Sequence, residues 1–199
     1  MHIADGVLSV PVWTGCLAVT AAITGVSLRK MKAEDTPRIA LMTSAFFIAS
    51  LIHIPMGPTS VHLILNGLVG IILGPLAFVA ILVGLILQAV LFKHGGITTI
   101  GANTVMMGLP AVGAYYLFRL HRLFKFRVSA GIFGALAGGV AVFLGAVILA
   151  LLLVTTGSEF IVVAKLAVWA HLPVMVIEGL IAAFVVTFLK QVKPEMLGA

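Results

Sequence analysis

Between Arg38 and Lys93 the chain carries no Lys, Arg, Asp or Glu, and neither does the stretch from Val128 to Ser158. A water-soluble fold needs charge to cover its surface, commonly about 25% of its residues. Here charged residues make up 9% of 199, against 62% apolar ones. That pattern excludes a single soluble domain and a disordered chain. Cys16, the one cysteine, sits inside an apolar run without a partner to oxidise with, which removes a disulfide-stapled secreted domain. Long apolar runs at a mean hydropathy of +1.26 predict an all-α polytopic membrane protein. Lipid admits only helices or closed barrels, and these runs lack the two-residue alternation of a barrel.

A bilayer core of about 30 Å takes about 20 helical residues. The runs divide into spans at 9–28, 39–54, 61–73, 75–92, 102–118, 128–154 and 160–189. This is about seven transmembrane helices in one domain, 1–199, with 1–8 as an amino-terminal segment. Gly74-Pro75 joins the third span tightly to the fourth, and Pro173 predicts a kink in the last. The first run is too long for a signal h-region and has no basic region before it, so Met1 is expected to remain the amino terminus.

Arg29, Lys30, Lys32 and Arg38 lie between spans one and two, Arg119, Arg122, Lys125 and Arg127 between five and six, and Lys190 and Lys193 after seven. With an odd number of spans these segments share one side, leaving only Lys93 and Lys165 toward the other. The positive-inside rule then predicts an outer amino terminus and a cytoplasmic carboxyl terminus. The net charge of +6 reads as membrane topology, with no nucleic-acid partner. Small-residue pairs at Gly134/Gly138, Ala135/Gly139 and Gly70/Gly74 predict close helix packing within the chain.

Four of the six histidines, His2, His53, His62 and His94, fall toward the outer side. Imidazole is the commonest transition-metal ligand. Methionine removal normally requires a small second residue, so Met1 is expected to stay ahead of His2. A free amino-terminal X-His unit offers three nitrogens in a row: the α-amine, the His2 amide and His2 Nδ1. Amine and amide close a five-membered chelate ring, amide and Nδ1 a six-membered one, and all three can share a plane. A fourth nitrogen would complete a square, the geometry of Cu(II) or Ni(II). A strongly polarising ion makes loss of the amide proton possible near neutral pH.

His62 is the best candidate for that fourth nitrogen. It ends His53-Ile54-Pro55-Met56-Gly57-Pro58-Thr59-Ser60-Val61-His62, a Pro/Gly-rich connection that cannot stay helical. Irregular backbone at membrane depth is tolerated where it lines a cavity or is buried in protein. His53 also qualifies as a ligand, but it ends an apolar helix and reads first as an interfacial residue. Asn66, one turn below His62, is expected to fix the imidazole tautomer. The uncharged, glycine-rich segment from His94 to Asn103 is expected to fold over the mouth, with Thr98 or Asn103 hydrogen-bonding ligands, or else to form an ordinary capped turn. Asp5-Gly6 is a turn pair able to reverse the first residues, with Asp5 structural. Glu178 is the deepest acid, His171 lying seven residues earlier on its face; an intramembrane acid is functional by default, although pairing with a neighbouring helix would look the same. Met42, Met56, Met106, Met107 and Met175 read as core filling.

No G-x-x-x-x-G-K-[ST], H-E-x-x-H or G-x-S-x-G occurs, so ATP hydrolysis by a P-loop and the commonest hydrolase signatures are excluded. An intramembrane metal-dependent hydrolase using His53, His62 and His94 is the alternative of another class, but the outer half offers only Asp5 and Glu159 as a base. A channel would show rings of charge.

Met1-His2-Ile3-Ala4-Asp5-Gly6, Pro55-Met56-Gly57-Pro58-Thr59-Ser60-Val61-His62-Leu63, His94-Gly95-Gly96-Ile97-Thr98-Thr99-Ile100-Gly101-Ala102-Asn103-Thr104 and Glu178-Gly179-Leu180-Ile181 resemble the cobalt/nickel substrate-binding (S) components of energy-coupling-factor transporters, across nearly the whole chain. The resemblance implies a seven-helix subunit of a prokaryotic cell membrane importer. It implies Ni²⁺ or Co²⁺ as transported substrate and no organic cofactor. The ligands would be the Met1 amine, the His2 amide and imidazole, and the His62 imidazole. It also implies a transmembrane coupling protein, two ATPase subunits and often a small additional membrane component. The planar all-nitrogen set favours Ni²⁺ over Co²⁺; the alternative is a cobalt importer feeding cobalamin synthesis.

Overall fold

The computed structural model describes residues 1–124 and 126–197. Among the described residues there are seven α-helices: α1 (Val10–Lys30), α2 (Thr36–Ala49), α3 (Asn66–Leu73), α4 (Ala77–Phe92), α5 (Ile100–Arg119), α6 (Ser129–Thr156) and α7 (Ile161–Val192). Pro11 opens α1, where its missing N–H costs nothing, and Arg29 and Lys30 close it at the negative end of its dipole. Val10–Lys30, Asn66–Phe92, Ser129–Thr156 and Ser158–Val192 are each long and apolar enough to cross a bilayer.

α5 fills the centre and is buried along most of its length. α1 lies at the periphery, with Thr20 and Ser27 its buried residues; Thr20 donates a 2.9 Å hydrogen bond to the Gly101 carbonyl of α5. α6 and α7 pair through small residues: Gly134, Gly138 and Gly139 face Ala182, Val186, Glu178 and Met175. The small-residue pairs therefore serve packing within the chain. α7 continues through Pro173. Met42, Met106 and Met107 are core residues.

Two expected helices are shorter than their apolar runs. Of 39–54, the helix covers only up to Ala49, and of 61–73 only Asn66 onward. Between them lie two antiparallel strands, β1 (His53–Met56) and β2 (Thr59–His62), paired from His53 against His62 to Met56 against Thr59. Pro55 and Pro58 forbid a helix there, and Gly57 turns the hairpin with φ +58°. Ile3 forms a further antiparallel bridge to Thr59, and the Ala4 N–H donates to the Pro58 carbonyl at 3.1 Å. The first residues thus add a short strand to the hairpin edge.

α3, eight residues or about 12 Å long, leaves the hairpin end. Gly74, at φ +58°, and Pro75 then turn the chain, and α4 returns to the same end, where it stops at Lys93 in the left-handed region. α3 and α4 therefore form a reversing pair rather than one straight crossing. The basic segments gather at the opposite end. Arg38 and Lys193 line one cleft there, and Arg127 and Lys190 another. Lys125 lies outside the described residues.

Candidate metal centre

Met1, His2 and Ile3 are almost wholly buried, which for a chain terminus requires dedicated partners. Asn103 supplies them: its Oδ1 accepts from the Ile3 N–H at 2.9 Å and its Nδ2 donates to the Ile3 carbonyl at 3.1 Å, as a neighbouring strand would. Thr99 Oγ1 donates to the same carbonyl at 2.8 Å. Asp5 accepts from the Ile97 and Thr98 N–H groups at 3.1 and 2.9 Å and from Thr98 Oγ1 at 2.6 Å. Burial would raise the Asp5 carboxyl, but the Thr98 and Ile97 hydrogen bonds outweigh it and hold the group below its ordinary value. The 94–103 segment does lie against the amino terminus. A Cβ at Gly95 (φ +81°) would approach the His2 ring to 3.1 Å. Thr98 and Asn103, however, bond residues 3 and 5 and not the imidazoles.

Three nitrogens converge on one point. The Met1 α-amine hydrogen-bonds His62 Nε2, and His2 Nδ1 lies 2.8 Å from that same Nε2. The outer edge of each ring fixes its tautomer. His62 Nδ1 lies 2.6 Å from the Leu63 carbonyl, which only accepts, so Nδ1 carries the hydrogen. His2 Nε2 donates to Gln88 Oε1 at 2.8 Å, and Gln88 in turn donates to Ser50 Oγ. Both remaining nitrogens therefore turn lone pairs toward one another. Burial is the main cause that pushes the Met1 amine, His2 and His62 well below their ordinary values; mutual repulsion adds to this for the two imidazoles, while the Glu178 carboxylate opposes it for the amine. Burial thus favours the neutral form of all three groups, which leaves each a lone pair with which to hold a cation.

Asn66 does not fix the His62 tautomer. It bonds instead to the Met107 and Ala141 carbonyls at 3.2 and 3.5 Å, tying α3 to α5 and α6, and the Leu63 backbone takes the expected role. Glu178 reaches across from α7 and accepts from the Ile64 N–H and, at 2.8 Å, the Leu65 N–H. It thereby caps the irregular backbone between His62 and α3, where Leu65 sits at φ +57°. Replacing Glu178 by Ala strands two buried donors. Loss of about 1–3 kcal/mol of stability is expected, read as a lowered denaturation midpoint in detergent.

His94 packs against His2 with ring centroids 4.1 Å apart and planes tilted by 56°, and ligating atoms of His2, His62 and His94 lie within 4.8 Å of one another. Burial, then His53, push His94 down to about 4. Gln88 is the functional residue that sequence reasoning missed. Its signal was a lone amide in the apolar run 77–92.

A family model described as the cobalt uptake substrate-specific transmembrane region matches residues 2–196. The chain belongs to this family. A Haemophilus influenzae protein whose name assigns it to metal transport is 36% identical over 205 residues, 99% of this chain and 97% of the relative. A fused Archaeoglobus fulgidus protein whose name gives nickel transport is 29% identical over 205 residues, 99% of this chain and 68% of that one. A crystal structure of a truncated transition metal transporter matches with a TM-score of 0.78 at 26% identity, covering 96% of this chain and 99% of that one. The chain is thus an integral membrane protein of a cobalt and nickel transport family. Its relatives are transport proteins and not enzymes, which counts against the hydrolase alternative.

Proposed function

We propose that the chain is the substrate-binding subunit of an ATP-driven energy-coupling-factor importer, holding Ni²⁺ in preference to Co²⁺ in a planar site of four nitrogens. The donors are the Met1 amine, the His2 amide, His2 Nδ1 and His62 Nε2. One distance carries the reading. In that square the His2 and His62 nitrogens are adjacent corners, and bonds of about 2.0 Å at right angles give an edge of about 2.8 Å. The two nitrogens are 2.8 Å apart, with lone pairs facing, so little movement is needed to accept an ion.

A square of nitrogens suits Ni²⁺ better than Co²⁺, and affinity rises in the same order. Copper would bind more tightly still, so selectivity in the cell also rests on availability. Seven crossings are the topology this reading uses, the short α3 and α4 making two of them. The histidine end then faces outward and the basic end faces the cytoplasm, in line with the distribution of Lys and Arg. Partner subunits, a transmembrane coupling protein, two ATPases and a small accessory membrane component, supply the energy. Release follows when their motion withdraws the amino-terminal segment or tilts the bundle.

Transport in sealed vesicles tests this. The chain alone should bind metal without moving it at a useful rate, and ATP with the partners should restore uptake; full-rate uptake by the chain alone overturns it. Proton release offers a second check. Burial favours the neutral amine and imidazoles, which leaves the His2 amide as the donor that must lose a proton. Calorimetry in buffers of differing ionisation enthalpy should therefore find about one proton released per Ni²⁺ near pH 7. Release of none would remove the amide from the donor set.

A further inference from the structure

Outside the four-nitrogen set lies an open cleft that the proposed coordination does not use. It is lined by His53, Thr59, Ser60, Lys93 and His94 and reaches the His2 ring. His53 is solvent-exposed and its ring lies against His94 at a tilt of 38°, with centroids 4.0 Å apart; His94 in turn packs against His2 at 56°. His53 Nδ1 is engaged by the Leu51 carbonyl at 3.1 Å, which leaves Nε2 for a ligand. Three polar atoms of this cleft, His94 Nε2, Thr59 Oγ1 and Ser60 Oγ, are buried without a hydrogen-bond partner among the described residues. Thr59 and Ser60 are only 4% and 5% exposed. Buried polar atoms left unsatisfied are costly and rare, and three of them belong to residues lining this cleft.

We propose that this cleft is a vestibule for the hydrated metal ion, where His53 and His94 take the cation from solvent and pass it to His2. The proposal rests on the four-nitrogen reading of the inner site. Divalent transition-metal ions arrive hexahydrated, and the inner square requires most of that water to leave. Exchange one ligand at a time is easier than loss of the shell at once. At the cleft, the free His53 Nε2 replaces one water of the ion, and the neighbouring His94 ring follows. His94, within reach of both His53 and His2, is the intermediate station. Lys93 adds positive charge to the same wall, and Asp5 points its carboxylate into the 97–98 backbone instead. Capture therefore depends on coordination by imidazole nitrogen and not on attraction to acids. Such chemistry suits a borderline transition metal and disfavours Mg²⁺ or Ca²⁺.

Two measurements with aqueous NiCl2 on the purified full chain decide it. In stopped-flow loading, His53→Ala should slow both association and dissociation by about tenfold and leave the equilibrium affinity unchanged, because a relay lowers a barrier without belonging to either end state. Unchanged association overturns the relay, as does an affinity that weakens in step with association. The second measurement does not need the inner square. His2→Ala should retain a weak Ni²⁺ site that the double variant His2→Ala/His53→Ala loses. Equal weak binding by the two overturns the vestibule. Equal binding by wild type and His2→Ala would instead overturn the inner site, with the single and double variants still deciding the vestibule.

Discussion

Extending the amino terminus by Ser-Gly ahead of Met1 is expected to abolish tight Ni²⁺ binding. Met1 is completely buried, and its sulfur packs by Gly145 between α5 and α6. Its amine meets His62 directly. An added dipeptide turns that amine into an amide, which holds a metal poorly, and forces backbone into a space already filled. Two of the four donors lose their geometry together, so a weakening of at least about a thousandfold, about 4 kcal/mol, should appear in calorimetry. Two residues serve better than one, since a single residue would move the histidine to third place and create a separate chelate of four local nitrogens. The fold rests on α3, α5, α6 and α7, so the denaturation midpoint should shift little. Affinity within about threefold of the unextended chain, under 1 kcal/mol, would contradict the role of the α-amine.

His62→Ala is expected to have the next largest effect. It removes the only donor in the proposed square that comes from outside the first two residues, leaving a three-nitrogen chelate that water must complete. Weakening of about a hundredfold or more, about 3 kcal/mol, should accompany a shift of the visible spectrum away from the all-nitrogen form. The β1–β2 pairing uses the backbone of residue 62, so alanine preserves the hairpin. Retained affinity with an unchanged spectrum would mean that the fourth ligand is another group, His94 being the nearest.

The proposed inner donors stand out in the sequence because two of the residues that supply them are covalently adjacent. The chelate rings of Met1-His2 follow from bond connectivity and need no tertiary structure. His62 stood out because Pro55, Gly57 and Pro58 forbid helix around it. What the sequence concealed was carried by backbone or by distant side chains. The His62 tautomer is set by the Leu63 carbonyl, a group every residue possesses, and Asn66, the visible polar neighbour, is spent on joining helices. Gln88 meets His2 across 86 positions through a reversal at Gly74-Pro75, which local periodicity cannot signal. The strands of 53–62 escaped notice because two prolines and a glycine mask alternation in so short a stretch. Glu178 was recognisable as a buried acid, but its partners are the Ile64 and Leu65 amides, invisible to a reading of side chains. Asp5, Thr98 and Asn103 bond the amino-terminal segment and the 97–98 backbone and not the rings.

The most direct test is anomalous diffraction at the nickel edge from crystals of the full chain grown with Ni²⁺. The account predicts a single strong peak bonded to the Met1 amine, the His2 amide and Nδ1, and His62 Nε2, in one plane. A fully occupied ion elsewhere, with the first two residues outside its coordination sphere, would contradict it.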